Sequence, residues 1–259
     1  MLAVLALSAA LAAPEGIPWD DADVWESRWT EIYRGPPGCW EVTGRATWAW
    51  DAGRFGSNKG NAAFAGILHD GVWRDVIIRS LGERTTSKGE APVVVYPHGE
   101  VRFIPLVGRP SAELTRQEDV QKNVLMAVLD EIGGDVVTSW SDWDEGRKAV
   151  VLHREIPVRG GSRATMEVLF PAGVEQPQRL DLTFAQPFSL PDRRAVRVRD
   201  AEAHIRARNT VGMTFPEAEA LEFGVSVLGF QGHGAQTIRY HAFRPCGGDS
   251  ASSTPALKP

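Results

Sequence analysis

Between residues 135 and 243 the chain alternates between apolar and polar residues in one segment after another, with short turn clusters in between. The clearest example is residues 201–208, where Ala201, Ala203 and Ile205 alternate with charged residues or histidine. A period of two places the apolar residues on one face of a strand. The sequence therefore predicts a series of half-buried strands at 136–140, 148–158, 164–170, 179–185, 195–208, 217–230 and 237–243.

The region before residue 107 carries the same signal. Residues 40–48 predict a strand, and residues 61–68 and 72–81 predict a hairpin that turns at His69, Asp70 and Gly71. Residues 92–96 and 100–106 predict a second hairpin. Clusters of turn-forming residues at 144–146, 159–161, 171–173 and 232–234 predict the later turns.

A different period marks a first helix near residues 20–34. Ala22, Trp25, Trp29 and Ile32 form one apolar stripe, and Gly35 followed by two prolines ends it. A second helix is predicted near residues 116–132.

The second helix has its own apolar stripe, formed by Val120, Val124, Val128 and Ile132. Two helices among many strands predict a mainly β (α+β) fold. The predicted architecture is a large curved antiparallel sheet or half-barrel meander covered by the two helices. Residues 13–246 show no linker or repeat and predict a single domain. This order of elements is similar in outline to the periplasmic lipoprotein carriers, a resemblance that implies a half-barrel lined with apolar residues and covered by helices.

Residues 1–12 form an uncharged apolar run that closes on Ala10, Leu11 and Ala12, the small-residue pattern of a signal-peptidase site. The run is too short to span a bilayer as a helix. It predicts a cleaved signal peptide, a periplasmic or secreted mature protein and no transmembrane segment in the mature chain. Residues 247–259 are rich in Gly, Ser, Thr and Pro and predict a disordered tail.

The two cysteines, Cys39 and Cys246, stand at the two ends of the patterned region. In an oxidising compartment an even pair predicts one disulfide, whereas two buried thiols are the alternative. The disulfide is the favoured interpretation because export permits it.

Several classes of function lack their usual signals. A formal charge of −5 argues against a nucleic-acid partner. The patterns G-x-S-x-G, H-E-x-x-H and C-x-x-C do not occur, so the sequence predicts no catalytic residue, no cofactor and no metal ligand. Residues 142–146 hold three carboxylates next to a glycine, but a polar hairpin turn explains them better than a calcium loop.

Six of the nine tryptophans lie in the first 50 residues. Tryptophans on a helix stripe and on a strand face form either a core or the wall of an apolar cleft. The hypothesis of a cleft names as ligand-binding residues Trp25, Trp29, Trp40, Trp48, Val124 and Val128.

Three classes of function follow from these observations. The first is an exported protein that binds or carries an apolar ligand, such as a lipid or an acylated partner, in a cleft between sheet and helix. The second is a non-catalytic structural or interaction protein with an envelope protein as its partner. The third is a hydrolase whose site has no recognisable motif.

Overall fold

The structure is a computed structural model that describes residues 16–51, 57–80, 84–86, 89–91, 95–96, 106–111, 138–158, 162–184, 186–190, 193–227 and 229–247. Within these ranges it contains two short helices, α1 (Ala22–Glu26) and α2 (Thr30–Arg34), and 15 strands in one sheet. The first seven strands are β1 (Cys39–Asp51), β2 (Ser57–His69), β3 (Val72–Ser80), β4 (Arg84–Thr86), β5 (Gly89–Ala91), β6 (Val95–Tyr96) and β7 (Arg109–Pro110). The others are β8 (Thr138–Asp144), β9 (Ala149–Val158), β10 (Ser162–Pro171), β11 (Arg179–Phe184), β12 (Phe188–Leu190), β13 (Arg193–Thr210), β14 (Met213–Val227) and β15 (Phe230–Pro245).

The sheet is an open meander with β8 at one end. From β8 to β15 the strands follow one another in sequence, and only β12 lies off this path. β1 then pairs with β15, and β2, β4 and β5 complete the order on the other side. The described pairings are antiparallel except for a two-residue parallel contact between β3 and β7. These findings confirm the predicted mainly β fold with a large antiparallel sheet.

One face of the sheet, called the inner face here, carries the buried side chains and contacts both helices. A single cross-strand row on this face runs through Ile205, Glu219, Ile238, Ala46 and Ala62. Two apolar clusters divide the face. The first cluster includes Trp25, Ile32 and the inward residues of β9, β10, β11 and β13, and the second includes the inward residues of β1, β2 and β15.

The predicted single helix at 20–34 is wrong in one respect, because a turn at 27–29 divides it into α1 and α2. The Asp21 side chain caps α1 by accepting the N–H of Asp23, and Gly35 ends α2. The break has a packing cause: α1 lies against β8 and β9, whereas α2 lies against β13 and β14. The predicted leader at 1–12, most of the tail and the second helix at 116–132 lie outside the described residues.

The predicted turn at 232–234 is also wrong, because these residues lie within β15. The ring of Phe223 on β14 occupies the space where a Cβ of Gly234 would stand. An aromatic ring that covers a glycine on the neighbouring strand compensates for the missing side chain, so the glycine stays in the strand. The predicted hairpin at 92–96 and 100–106 lies mostly outside the described residues, but Leu106 belongs to a buried bend and not to a strand.

The ends of the sheet's central pair are joined covalently. Cys39 at the start of β1 and Cys246 just after β15 form a disulfide with a Cα–Cα distance of 5.4 Å. The backbone N–H of Cys246 also donates to the carbonyl of Cys39 at 3.0 Å. The structure therefore contains the predicted disulfide and places the first and last strands side by side.

Candidate functional site

The helix α1 is attached to the sheet through one buried aromatic side chain. The Trp25 ring centroid lies 4.8 Å from that of Phe170 on β10, and both rings are buried. The indole Nε1 of Trp25 donates to the carbonyl of Pro18 at 2.9 Å. Because a five-residue helix has little intrinsic stability, this packing is what holds α1 in place.

A buried ion pair provides the second attachment. The Nε of Arg154, on the inner face of β9, donates to Glu26 Oε1 of α1 at 2.9 Å. The guanidinium of Arg154 lies 4.4 Å from the ring centroid of Trp29, a cation–π contact. Burial lowers the pKa of Arg154, and Glu26 opposes that shift through its charge and its hydrogen bond.

We call this region the α1 site. It comprises Trp25, Glu26 and Trp29 from the helical segment and Trp143, Arg154 and Phe170 from the sheet.

The rim of the α1 site is apolar and only half-buried. Ile17, Val24, Trp29 and Trp143 pack against the first cluster while keeping part of their surface in solvent. Covering partly solvent-exposed apolar surface with an apolar ligand removes that surface from water, which favours binding. The arrangement is therefore suited to an apolar ligand that enters between α1 and the strands β8 to β10.

A buried carboxylate lies between the two clusters. Glu219 occupies the cross-strand row between Ile205 of the first cluster and Ile238 of the second. It accepts hydrogen bonds from the Tyr240 hydroxyl and the backbone N–H of Leu106. Burial raises the pKa of Glu219 to about 7, although these hydrogen bonds favour the charged form. Glu219 therefore changes its charge near neutral pH.

Residues 106–108 form a buried strap that Glu219 helps to hold. Besides the Leu106 contact, the Nε1 of Trp73 donates to the carbonyl of Val107 at 2.8 Å. The N–H of Gly108 donates to the carbonyl of Tyr33 in α2 at 2.8 Å. The strap thus connects α2, β3 and β14. Leu106 and Val107 belong to the first cluster, and Gly108 lies against Leu68 and Trp73 of the second.

The structure separates the tryptophans that the sequence groups into one wall. Trp25 and Trp29 lie at the first cluster, whereas Trp40 and Trp48 pack against the second. Trp40 makes an edge-to-face contact with Phe215, with ring centroids 5.1 Å apart.

Trp48 lies at the other end of β1, where its ring fills the space above Gly60. Eight residues of strand separate Trp40 from Trp48, a distance of about 26 Å. Val124 and Val128 lie outside the described residues. Of the four predicted residues that the structure describes, Trp25 and Trp29 lie at one cluster, and Trp40 and Trp48 lie far apart at the other.

The opposite, outer face carries a polar cross-strand row. It runs through Trp140, His153, Glu167, Asp181 and His204. His204 Nδ1 lies 2.6 Å from Asp181 Oδ1, and the Trp140 ring stacks on His153 with centroids 5.1 Å apart. Within the described residues no three His, Cys, Asp or Glu side chains form a cluster suited to a metal ion.

The acidic segment at 142–146 completes β8 and begins a hairpin turn. Asp144 Oδ1 accepts the N–H of Arg147 at 2.9 Å, and Lys148 pairs with Glu145 at 2.5 Å. These contacts fit the hairpin interpretation, with the turn at residues 145–148.

Arg154 and Glu219 are absent from the sequence prediction, although Arg154 carries a recognisable signal. Arg154 falls in phase with Val150, Leu152 and Ile156, which are the buried residues of β9. A charged residue in the apolar phase of a strand is directed toward the core and needs a partner there. The partner of Arg154 is 128 residues distant in the sequence, so spacing could not reveal it.

Comparison with known proteins gives only distant likeness. No family model and no curated protein matches the chain. Among solved structures, a LolA superfamily protein from Nitrosomonas europaea is 8% identical with a TM-score of 0.30, covering 88% of this chain and 94% of its own.

Two further solved structures were found. A putative outer membrane lipoprotein-sorting protein domain from Vibrio parahaemolyticus is 7% identical with a TM-score of 0.32, covering 86% of this chain and 91% of its own. MucB of Pseudomonas aeruginosa, solved as a complex with MucA, matches at 11% identity with a TM-score of 0.19, covering 87% of this chain and 99% of the matched one. Separately, no helix in the described ranges is long and apolar enough to cross a membrane.

Proposed function

We propose that this protein is an exported binder or carrier of an apolar ligand, such as a lipid or an acylated partner, which enters between α1 and the strands β8 to β10. The observation that carries the proposal is the half-buried apolar rim around a helix attached through Trp25 and the Glu26–Arg154 pair. The apolar leader at 1–12 supports export to the periplasm or beyond.

Uptake requires α1 to move, since Trp25 covers Phe170. A ligand chain that replaces the Trp25 ring restores apolar contact with Phe170 and adds contact with Trp29 and Trp143. Each buried methylene of the ligand contributes roughly 0.8 kcal/mol. The cost of releasing α1 is limited because the helix has five residues and the described contacts that hold it are few.

Quenching of tryptophan fluorescence by a brominated acyl chain tests this proposal. Methyl 9,10-dibromostearate should quench the protein in a saturable manner, because bromine quenches only the rings that it contacts. Trp25→Phe and Trp29→Phe should reduce the amplitude of the quenched emission, whereas the matched control Trp40→Phe in the second cluster should leave that amplitude unchanged. Quenching that does not saturate, or that depends equally on all three rings, would contradict the proposal.

A second candidate function is a structural or interaction role in the cell envelope. Trp140 favours it, because this ring is 44% exposed on β8, the strand at the end of the sheet. Exposed tryptophans are enriched at the centres of protein interfaces. Loss of a co-purifying envelope protein from a Trp140→Ala variant, with ligand quenching unaffected, would favour this role.

A further inference from the structure

Three buried polar atoms on the inner face of β8 and β9 have no hydrogen-bond partner among the residues that the structure describes. They are Ser141 Oγ, Trp143 Nε1 and Arg154 Nη1. The Arg154 side chain is only 7% exposed, and its contact with Glu26 uses Nε. Folded proteins contain few such atoms, and each calls for an explanation such as a bound group.

The three side chains occupy successive rows on the inner face of the β8–β9 pair, with Ser141 in the middle row. Ser141 pairs with Leu152 and Ser139 with Arg154 in the β8–β9 ladder, so Ser141 is the diagonal neighbour of Arg154. Diagonal neighbours on one face lie about 7–8 Å apart at Cα, within reach of long side chains. Trp143 follows Ser141 on the same face of β8.

The chemistry of the three atoms defines what they bind. Arginine and indole nitrogens only donate hydrogen bonds, and a serine hydroxyl is able to donate as well. The ligand group is therefore an acceptor, and in this setting that means an oxygen atom. The surrounding rings of Trp25 and Phe170 provide the apolar environment for a chain attached to it.

Charge decides between a carboxylate and a neutral oxygen. The charge of Arg154 is already balanced by Glu26 at 2.9 Å. A further anion would be buried without compensation, which is unfavourable in a low-dielectric environment. A neutral carbonyl accepts the same hydrogen bonds without adding charge.

We infer that Ser141, Trp143 and Arg154 form a subsite for the carbonyl oxygen of an acyl ester or acyl amide. This inference rests on the proposed function and specifies the polar end of its ligand. The acyl chain then lies along the first cluster beside Phe170, and the carbonyl oxygen, which has two lone pairs, accepts from two of the three donors at a time.

Three probes with one chain length test the subsite. Displacement of the neutral dye N-phenyl-1-naphthylamine is measured with tetradecane, methyl tetradecanoate and tetradecanoate. The methyl ester should bind at least about tenfold more tightly than the hydrocarbon and more tightly than the anion. Ser141→Ala and Trp143→Phe should each remove most of the preference for the ester.

The control is Ser139→Ala, which changes the same residue type on the same face of β8 and should keep the preference. Ser141→Ala should also leave the thermal midpoint of the free protein unchanged or raised, because its hydroxyl makes no hydrogen bond there. Equal binding of ester and hydrocarbon overturns the subsite while the apolar carrier stands. Tighter binding of tetradecanoate overturns the charge argument and with it the neutral-carbonyl subsite, and no binding of any probe overturns both proposals.

Discussion

The two apolar clusters of the inner face are enclosed in different ways. The second cluster is closed by a disulfide at the ends of β1 and β15 and by the rings of Phe64 and Trp48, which lie over Gly44 and Gly60. The first cluster is covered in its described part by two five-residue helices, of which α1 is held through Trp25 and an ion pair. From this difference we expect the second cluster to be the fixed part of the fold and α1, at the edge of the first cluster, to be the movable part.

The largest expected effect concerns the fixed part. The bridge joins residues that are 207 apart in the sequence. A double variant Cys39→Ser/Cys246→Ser should lose about 5 kcal/mol of unfolding free energy in the chain-entropy model, measured by urea denaturation. Two reactive thiols in the denatured, unreduced wild type would show that no bridge forms, and an unchanged urea midpoint in the variant would show that the bridge does not stabilise the fold.

Removing the aromatic anchor of α1 tests the movable part. Trp25→Ala deletes a buried ring on Phe170 and should cost about 3–4 kcal/mol. Hydrogen exchange should become faster in α1 and α2, while the amides of β1 and β15 keep their protection. Uniform loss of protection across both clusters would contradict the comparison.

Glu219, located between the clusters, should make stability depend on pH. Its pKa of about 7 lies above the ordinary value of 4.5, so the folded state holds the proton more tightly than the unfolded chain. The protonated Glu219 side chain therefore contributes fully to the free energy of unfolding below about pH 4.5. This contribution decreases as the pH rises toward 7 and is absent above that pH. The total difference is about 3 kcal/mol.

Urea denaturation at pH 5 and pH 8 measures this difference. Glu219→Gln should flatten the dependence, because the amide does not titrate. Glu222→Gln, on the exposed face of the same strand, is the matched control and should retain it. Identical profiles for wild type and Glu219→Gln would show that Glu219 titrates normally.

The smallest expected effect refines the attachment of α1. Glu26→Gln leaves the buried Arg154 guanidinium without its counter-charge but keeps a hydrogen-bond acceptor. Because Glu26 is partly exposed, with a side-chain exposure of 24%, we expect a loss of about 1–2 kcal/mol, below that of a fully buried pair. Asp23→Asn on the exposed side of α1 is the control, and equal losses for the two variants would argue against the ion pair.

The sequence predicts the features that depend on residues close together in the chain, and it does not predict those that depend on residues far apart in the chain. Period-two alternation identifies the strands from β8 to β15 except the three-residue β12, because burial of one face is imposed residue by residue. It misplaces the turn at 232–234, since the reason that Gly234 remains in a strand is a ring on β14.

The candidate site is less predictable for the same reason. The helix stripe correctly groups Trp25 with Trp29, which are near in sequence. It gives no information on which strands the stripe meets, and the pairing of Glu26 with Arg154 spans 128 residues. Trp40 and Trp48 share a strand face, but alternation says nothing of the distance along it.

The position of the disulfide also determines how the molecule responds to mechanical load. α1 and α2 precede Cys39 and therefore lie outside the covalent ring that runs from Cys39 to Cys246. Tension on the segment before α1 first meets the Trp25 contact and the Glu26–Arg154 pair, and it reaches the ring only after both helices have peeled away. The disulfide then carries the load between Cys39 and Cys246. The two helices therefore detach under tension before any strand of the cross-linked sheet is pulled apart.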